Sequence, residues 1–98
     1  MAADLRDVDP AELRLPSSRT SGADPVKLHR QIAKHGTSTA GMPPLVAYEG
    51  SDGVLELFDG VTRATRVAKL LPGTTVQVEV IGKLKRPKGK NRRVGDAL

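Results

Sequence analysis

The chain has 98 residues, enough for one small domain. It contains no cysteine, which excludes disulfides, thiolate zinc sites and a cysteine nucleophile, and its single Tyr and single Phe leave a small core of Val, Leu, Ile and Ala. The formal net charge is +5, but residues 83–98 hold seven basic side chains against one acid, Asp96, so the basic character belongs to the C-terminal end.

In chain order, residues 1–11 are polar, hold Pro10 and read as a flexible leader. The opening MAADLRDVDP is acidic and is not a secretory signal. Glu12 to Leu15 alternates and ends at Pro16, which predicts a short edge strand. Residues 17–23, SSRTSGA, read as a loop. Asp24-Pro25 predicts a helix start, with Asp as N-cap and Pro at the first helical position. Val26, Leu28, Ile32 and Ala33 give that helix an apolar side as far as residue 35, and Gly36 stops it.

Residues 37–43, TSTAGMP, form a hydroxyl-rich loop. A strand follows over Leu45–Tyr48, then a hairpin loop over Gly50–Gly53 and a strand over Val54–Phe58 that pairs antiparallel with the first. Asp59-Gly60 turns the chain. Val61, Ala64, Val67, Ala68 and Leu71 fall at helical spacing, and Pro72-Gly73 ends that helix. Thr74–Ile81 alternates and predicts a strand. From Lys83 onward Pro, Gly and charge leave little to bury, which predicts a mobile tail. The pattern β-α-β-β-α-β predicts an α+β domain with helices on one side of a mixed sheet.

The turn from Val54 to Leu71 carries the functional expectation. A helix start offers free N–H groups and a positive dipole end to an anion. Gly60 admits close backbone approach, Thr62 adds a hydroxyl, and Arg63 and Arg66 supply guanidinium forks three residues apart on one face. The same pattern fits a plain turn with solvated arginines. Asp59 reads as a helix cap or as a metal-holding carboxylate or base beside phosphate. His35, beside Gly36, reads as a partner of the helix C-terminal dipole or as a general acid/base. Two histidines, His29 and His35, are too few for a His-based metal site without carboxylate help, and no apolar run reaches the length of a membrane span. No metal site is assigned.

A helix ending in IAKHG, a Pro-led strand, a hairpin, DGVTRATRVAKL and a closing VQVEVIG strand resemble the ParB/sulfiredoxin-like fold, in particular the N-terminal domain of ParB-type partition proteins. The resemblance spans about Leu13 to Leu84, so the expected division is a leader 1–11, a domain 12–84 and a basic tail 85–98. It implies a Gly-x-x-Arg phosphate-binding turn at Gly60-Val61-Thr62-Arg63, with Arg66 and the loop at Gly36 and Thr37 beside it. One Arg of the family's usual turn is replaced: Val-Thr-Arg stands where Glu-Arg-Arg is common. Sulfiredoxins carry a catalytic Cys where this chain has Val61, so their chemistry is excluded. Partition proteins continue into further domains that this sequence does not include, so a stand-alone module is expected.

The resulting expectation is a cytoplasmic module that binds a nucleotide, with Mg2+, or nucleic acid. The tail residues Lys85, Arg86, Lys88, Lys90, Arg92 and Arg93 add salt-dependent affinity for polyanions. The alternative is a nuclease or nucleotide-hydrolysing enzyme of effector or toxin type, with Asp59 and His35 as catalytic candidates.

Overall fold

The computed structural model describes residues 3–98. Helix α1 (Pro25–His35) starts where Asp24 and Pro25 predict it. The Asp24 carboxylate accepts from the Val26 N–H at 2.8 Å, while Pro25 has no N–H to leave orphaned. Gly36 ends the helix at a φ of 53°, its N–H donating to the Ile32 carbonyl at 2.8 Å.

Strands β2 (Leu45–Glu49) and β3 (Leu55–Asp59) form the expected antiparallel hairpin. Helix α2 (Val61–Leu70) then carries the chain to β4 (Val76–Lys83), which pairs parallel with β2. A further strand, β1 (Leu5–Val8), pairs antiparallel with β4. The sheet is mixed, with the order β1-β4-β2-β3. The described residues thus form a small α+β domain with four strands and two α-helices.

The core lies between one sheet face and α2. Leu45 and Ala47, Leu55 and Leu57, and Val76 and Val78 alternate inward along their strands. They meet Val61, Ala64, Val67 and Ala68, which share one stripe of α2. Helix α1 packs against α2 but has no fully buried residue; Leu28 and Ile32 are half-buried and Val26 is exposed. It is an outer layer that shapes the surface beside α2.

Both ends of the chain differ from the expectation. In place of a flexible leader, residues 5–8 form β1, with Val8 opposite Val76. The charges that suggested a leader suit an edge strand, where they discourage pairing with another chain. Arg6 ties this edge inward by pairing with Asp4 at 3.0 Å and with Glu49 of β2 at 2.9 Å. The stretch Glu12–Leu15 is not a regular strand. Its alternation is real, with Leu13 and Leu15 buried, but Arg14 makes only single bridges, to Glu56 on one side and Arg93 on the other.

The expected mobile tail is packed onto the body. The Leu15 N–H donates to the Arg92 carbonyl, and the Val94 N–H donates to the Leu13 carbonyl, each at 2.8 Å. Val94 is 1% exposed and belongs to the core. Asp52, at the hairpin turn, accepts from the backbone N–H groups of Lys88 at 3.1 Å and Gly89 at 2.9 Å. Asn91 donates to the Leu15 carbonyl and to Glu56. One buried Val and a set of backbone partners outweigh the polar composition of this segment. Among the described residues, no helix is long and apolar enough to cross a membrane.

Candidate functional site

Gly60 sits between β3 and α2 with φ 103°, in the left-handed region. A Cβ at this position would lie 2.5 Å from Leu45 Cδ2 and 3.1 Å from Arg63 Nη2, so the turn requires glycine on both torsional and steric grounds. No side chain caps α2 at Gly60. The first N–H groups of the helix are left to water or a ligand. Asp59 does not act as the cap that the sequence suggested. Its side chain is 70% exposed and lies 3.6 Å from Arg63 Nη2, one helical turn on.

A β-bulge shapes the strand leading into this turn. Asp59 pairs with Val46 and Leu57 with Ala47, so Phe58 is the extra residue of β3. Phe58 and Asp59 are consequently both exposed, breaking the alternation of the strand. Phe58 is 64% exposed despite its size. Its ring meets Tyr48 edge to face, with centroids 5.6 Å apart and planes at 82°.

These features border a cleft of about 530 Å³. Gly60, Thr62 and Arg63 form its floor at the head of α2. Arg19 and Ser18 enter from the loop after Pro16, and Lys27 and Gln31 from α1. Tyr48 and Phe58 supply an aromatic wall, with Glu56 and Asp59 beside it. Three cations therefore face two carboxylates. Glu56 is already engaged, 3.1 Å from Lys88 Nζ and 2.8 Å from Asn91 Nδ2. Arg19 and Lys27 make no ion pair among the described residues. The cleft thus combines an uncapped helix start, available positive charge and an aromatic face, the features that receive phosphate and a planar ring.

The structure separates other residues that the sequence had grouped here. Arg66 is 2% exposed and does not line the cleft. Its Nη1 donates to the Gly36 carbonyl at 2.8 Å and the Ser38 carbonyl at 2.9 Å, placing a cation at the C-terminal end of α1. Gly36 is a helix terminus and Thr37 is exposed, and neither lines the cleft. His35 also lies outside it, beside a smaller cavity shared with Arg63 and Arg66. Arg63 reaches both sides: it lines the cleft while its Nη1 donates to the Pro43 carbonyl at 2.9 Å.

The tail cations divide similarly. Lys88 pairs with Glu56, Arg92 donates to the Thr20 and Asp96 carbonyls, and Arg93 pairs with Asp96 and Glu12. Lys85, Arg86 and Lys90 are exposed and make no ion pair among the described residues.

Lys27, Tyr48 and Phe58 belong to the cleft but carried no functional signal in the sequence. A bulge and the approach of α1 to the β3 edge bring them there, and neither is written in a local motif. Among the described residues, no three His, Cys, Asp or Glu side chains cluster to hold a metal ion. No protein-family model matches the sequence, and no curated protein matches it.

Proposed function

We propose that this protein is a nucleotide-binding module of the ParB/sulfiredoxin-like type. The phosphates lie at the head of α2 against Gly60, Thr62 and Arg63, with Arg19 and Lys27 closing over them. The base lies on Phe58 beside Tyr48. The observation that carries this reading is exposed Phe58, edge to face with half-buried Tyr48, in the same cleft as an uncapped helix start and two cations that make no ion pair among the described residues. Phe58 offers a large exposed ring, and it borders charge of the sign that phosphate requires. Bound Mg2+ characteristically uses one or two carboxylates and completes its shell with phosphate oxygens and water. Asp59, more exposed than Glu56 and paired only with Arg63 at 3.6 Å among the described residues, is the carboxylate that would contribute.

Titration of the labelled protein with ATP and CTP, with and without Mg2+, tests the reading by NMR. Amide shifts centred on Phe58 to Arg63 and on Lys27 are expected. Phe58→Ala and Arg63→Ala should each weaken binding about tenfold, given ~1–3 kcal/mol for a stacked base or a charge-assisted phosphate contact. Shifts confined to residues 85–93, with none in the cleft, refute it.

Asp59 also favours a second reading, Mg2+-dependent hydrolysis of a nucleotide or nucleic acid. It stands exposed on the cleft wall, 3.6 Å from Arg63 Nη2. Turnover that needs Mg2+ and is lost in Asp59→Ala supports that activity. Binding without turnover leaves a binding module. His35 lies outside the cleft and is not assigned a catalytic role in either reading.

A further inference from the structure

Beneath the loop that joins α1 to β2 lies a separate cavity of about 90 Å³, bordered by His35, Ser38, Gly41 and Met42 from the loop side and by Arg63 and Arg66 from α2. Its volume suits one small polyatomic ion rather than a nucleoside. Among the described residues, no carboxylate lines it.

Arg66 is the reason for attention. It is 2% exposed, yet no carboxylate pairs with it among the described residues. A buried cation is costly unless its donors are satisfied and its charge is compensated. The two carbonyls of Gly36 and Ser38 occupy Nη1. Nη2 has only the Met42 thioether at 3.7 Å, a weak acceptor. Nε is buried and has no hydrogen-bond partner among the described residues. Nε and Nη2 form the side of the guanidinium whose parallel N–H bonds match two oxygens of a carboxylate or phosphate.

A second orphan borders the same cavity. Gln31 Oε1 is buried and without a hydrogen-bond partner among the described residues. An amide turned end for end at this position presents Nε2–H instead, a donor suited to an anion. Two side chains that each carry a buried polar atom without a hydrogen-bond partner, and a second guanidinium, thus border one ion-sized space among the described residues.

We infer that this cavity is a small-oxyanion site, in which a phosphate group sits against the Arg66 guanidinium with Gln31 and Arg63 alongside. The group is either free inorganic phosphate or the terminal phosphate of a nucleotide held in the neighbouring cleft, which shares Arg63 and Gln31 with this cavity. The site does not rest on the cleft's reading, because its donors are complete without a nucleoside.

The test is an NMR titration of the full chain with inorganic phosphate, read at the Arg66 Nε–H and Gln31 side-chain amide resonances. Millimolar phosphate should shift both, together with the Gly41 amide, and leave Phe58 unmoved. Arg66→Lys keeps the charge beside Gly36 and Ser38 but removes the fork, and should weaken phosphate binding at least tenfold. Gln31→Leu tests the same site without touching the loop strap, and should weaken it severalfold. Unchanged Arg66 and Gln31 resonances, or phosphate shifts at Thr62 alone, overturn the proposal. ATP provides the second arm. Shifts at both Phe58 and Arg66 Nε–H identify the nucleotide's terminal phosphate as the occupant. Shifts at Phe58 alone, with phosphate still moving Arg66, identify the free ion. Absence of any ATP effect removes the cleft reading and leaves the phosphate arm to decide this one.

Discussion

At the scale of single residues, Gly60 and Arg66 show how far a short motif can be read. The Gly-x-x-Arg turn was legible because glycine before a helical apolar stripe has few alternative uses. The structure adds the reason, a φ of 103° and a Leu45 methyl where a Cβ would go. Gly60→Ala should therefore destabilise the protein by about 1–3 kcal/mol through torsional strain and displacement of Leu45. Denaturant unfolding measures it, and a loss below ~0.5 kcal/mol would show that the turn relaxes freely. The same motif did not show that Arg66 is buried against the end of α1, away from the cleft. Helical spacing correctly put it on one face with Arg63, but spacing carries no information about what that face meets. Here it meets the carbonyls at the end of α1, and burial of a long charged side chain is invisible to composition.

At the scale of elements, α1, the hairpin, α2 and β4 were legible because caps, turn glycines and alternation agreed with one another. The first strand and the C-terminal segment were not, because both are held by partners far away in sequence. Asp52 illustrates this. Backbone N–H groups of Lys88, and then of Gly89 and Val54, hold its carboxyl below its ordinary value of 3.8. A depressed folded pKa means that the ionised carboxylate supports docking fully above pH 3.8, and that this support fades as pH falls through the lowered value. Tryptic cleavage after Lys88 and Lys90 should accordingly be slow at neutral pH. It should accelerate in Asp52→Ala, while the amide protection factors at 88–91 in the wild type, corrected for the intrinsic pH dependence of exchange, should fall as the solution is taken below pH 3.8. Equal protection in the variant and the wild type would show that Asn91 and Val94 hold the segment without Asp52.

At the scale of the whole molecule, the C-terminal segment decides between two pictures of stability and of charge. If 85–98 were an appendage, a chain ending at residue 84 would fold unchanged. In the structure, that chain lacks Val94, exposes Leu13 and Leu15, and leaves the Leu13 carbonyl and Leu15 N–H without partners. Val94→Ala alone should cost about 2 kcal/mol and lower Tm by roughly 10 °C in a domain of this size. Removing the whole segment takes more, and small domains are typically stable by only ~5–15 kcal/mol. The truncated chain should lose the dispersed amide spectrum of the full protein, and a native spectrum would return the segment to the status of a tail. The same packing limits its use as a polyanion contact. Lys88, Arg92 and Arg93 hold the segment down, so Lys85, Arg86 and Lys90 are the tail cations left to meet phosphates. Each phosphate contact contributes about −0.9 to the slope of log K against log salt on duplex DNA. Neutralising those three together should flatten the slope by at most ~3 while leaving the fold intact. A larger change would mean that the docked arginines also release and bind, and no change would confine ligand binding to the cleft and the loop cavity.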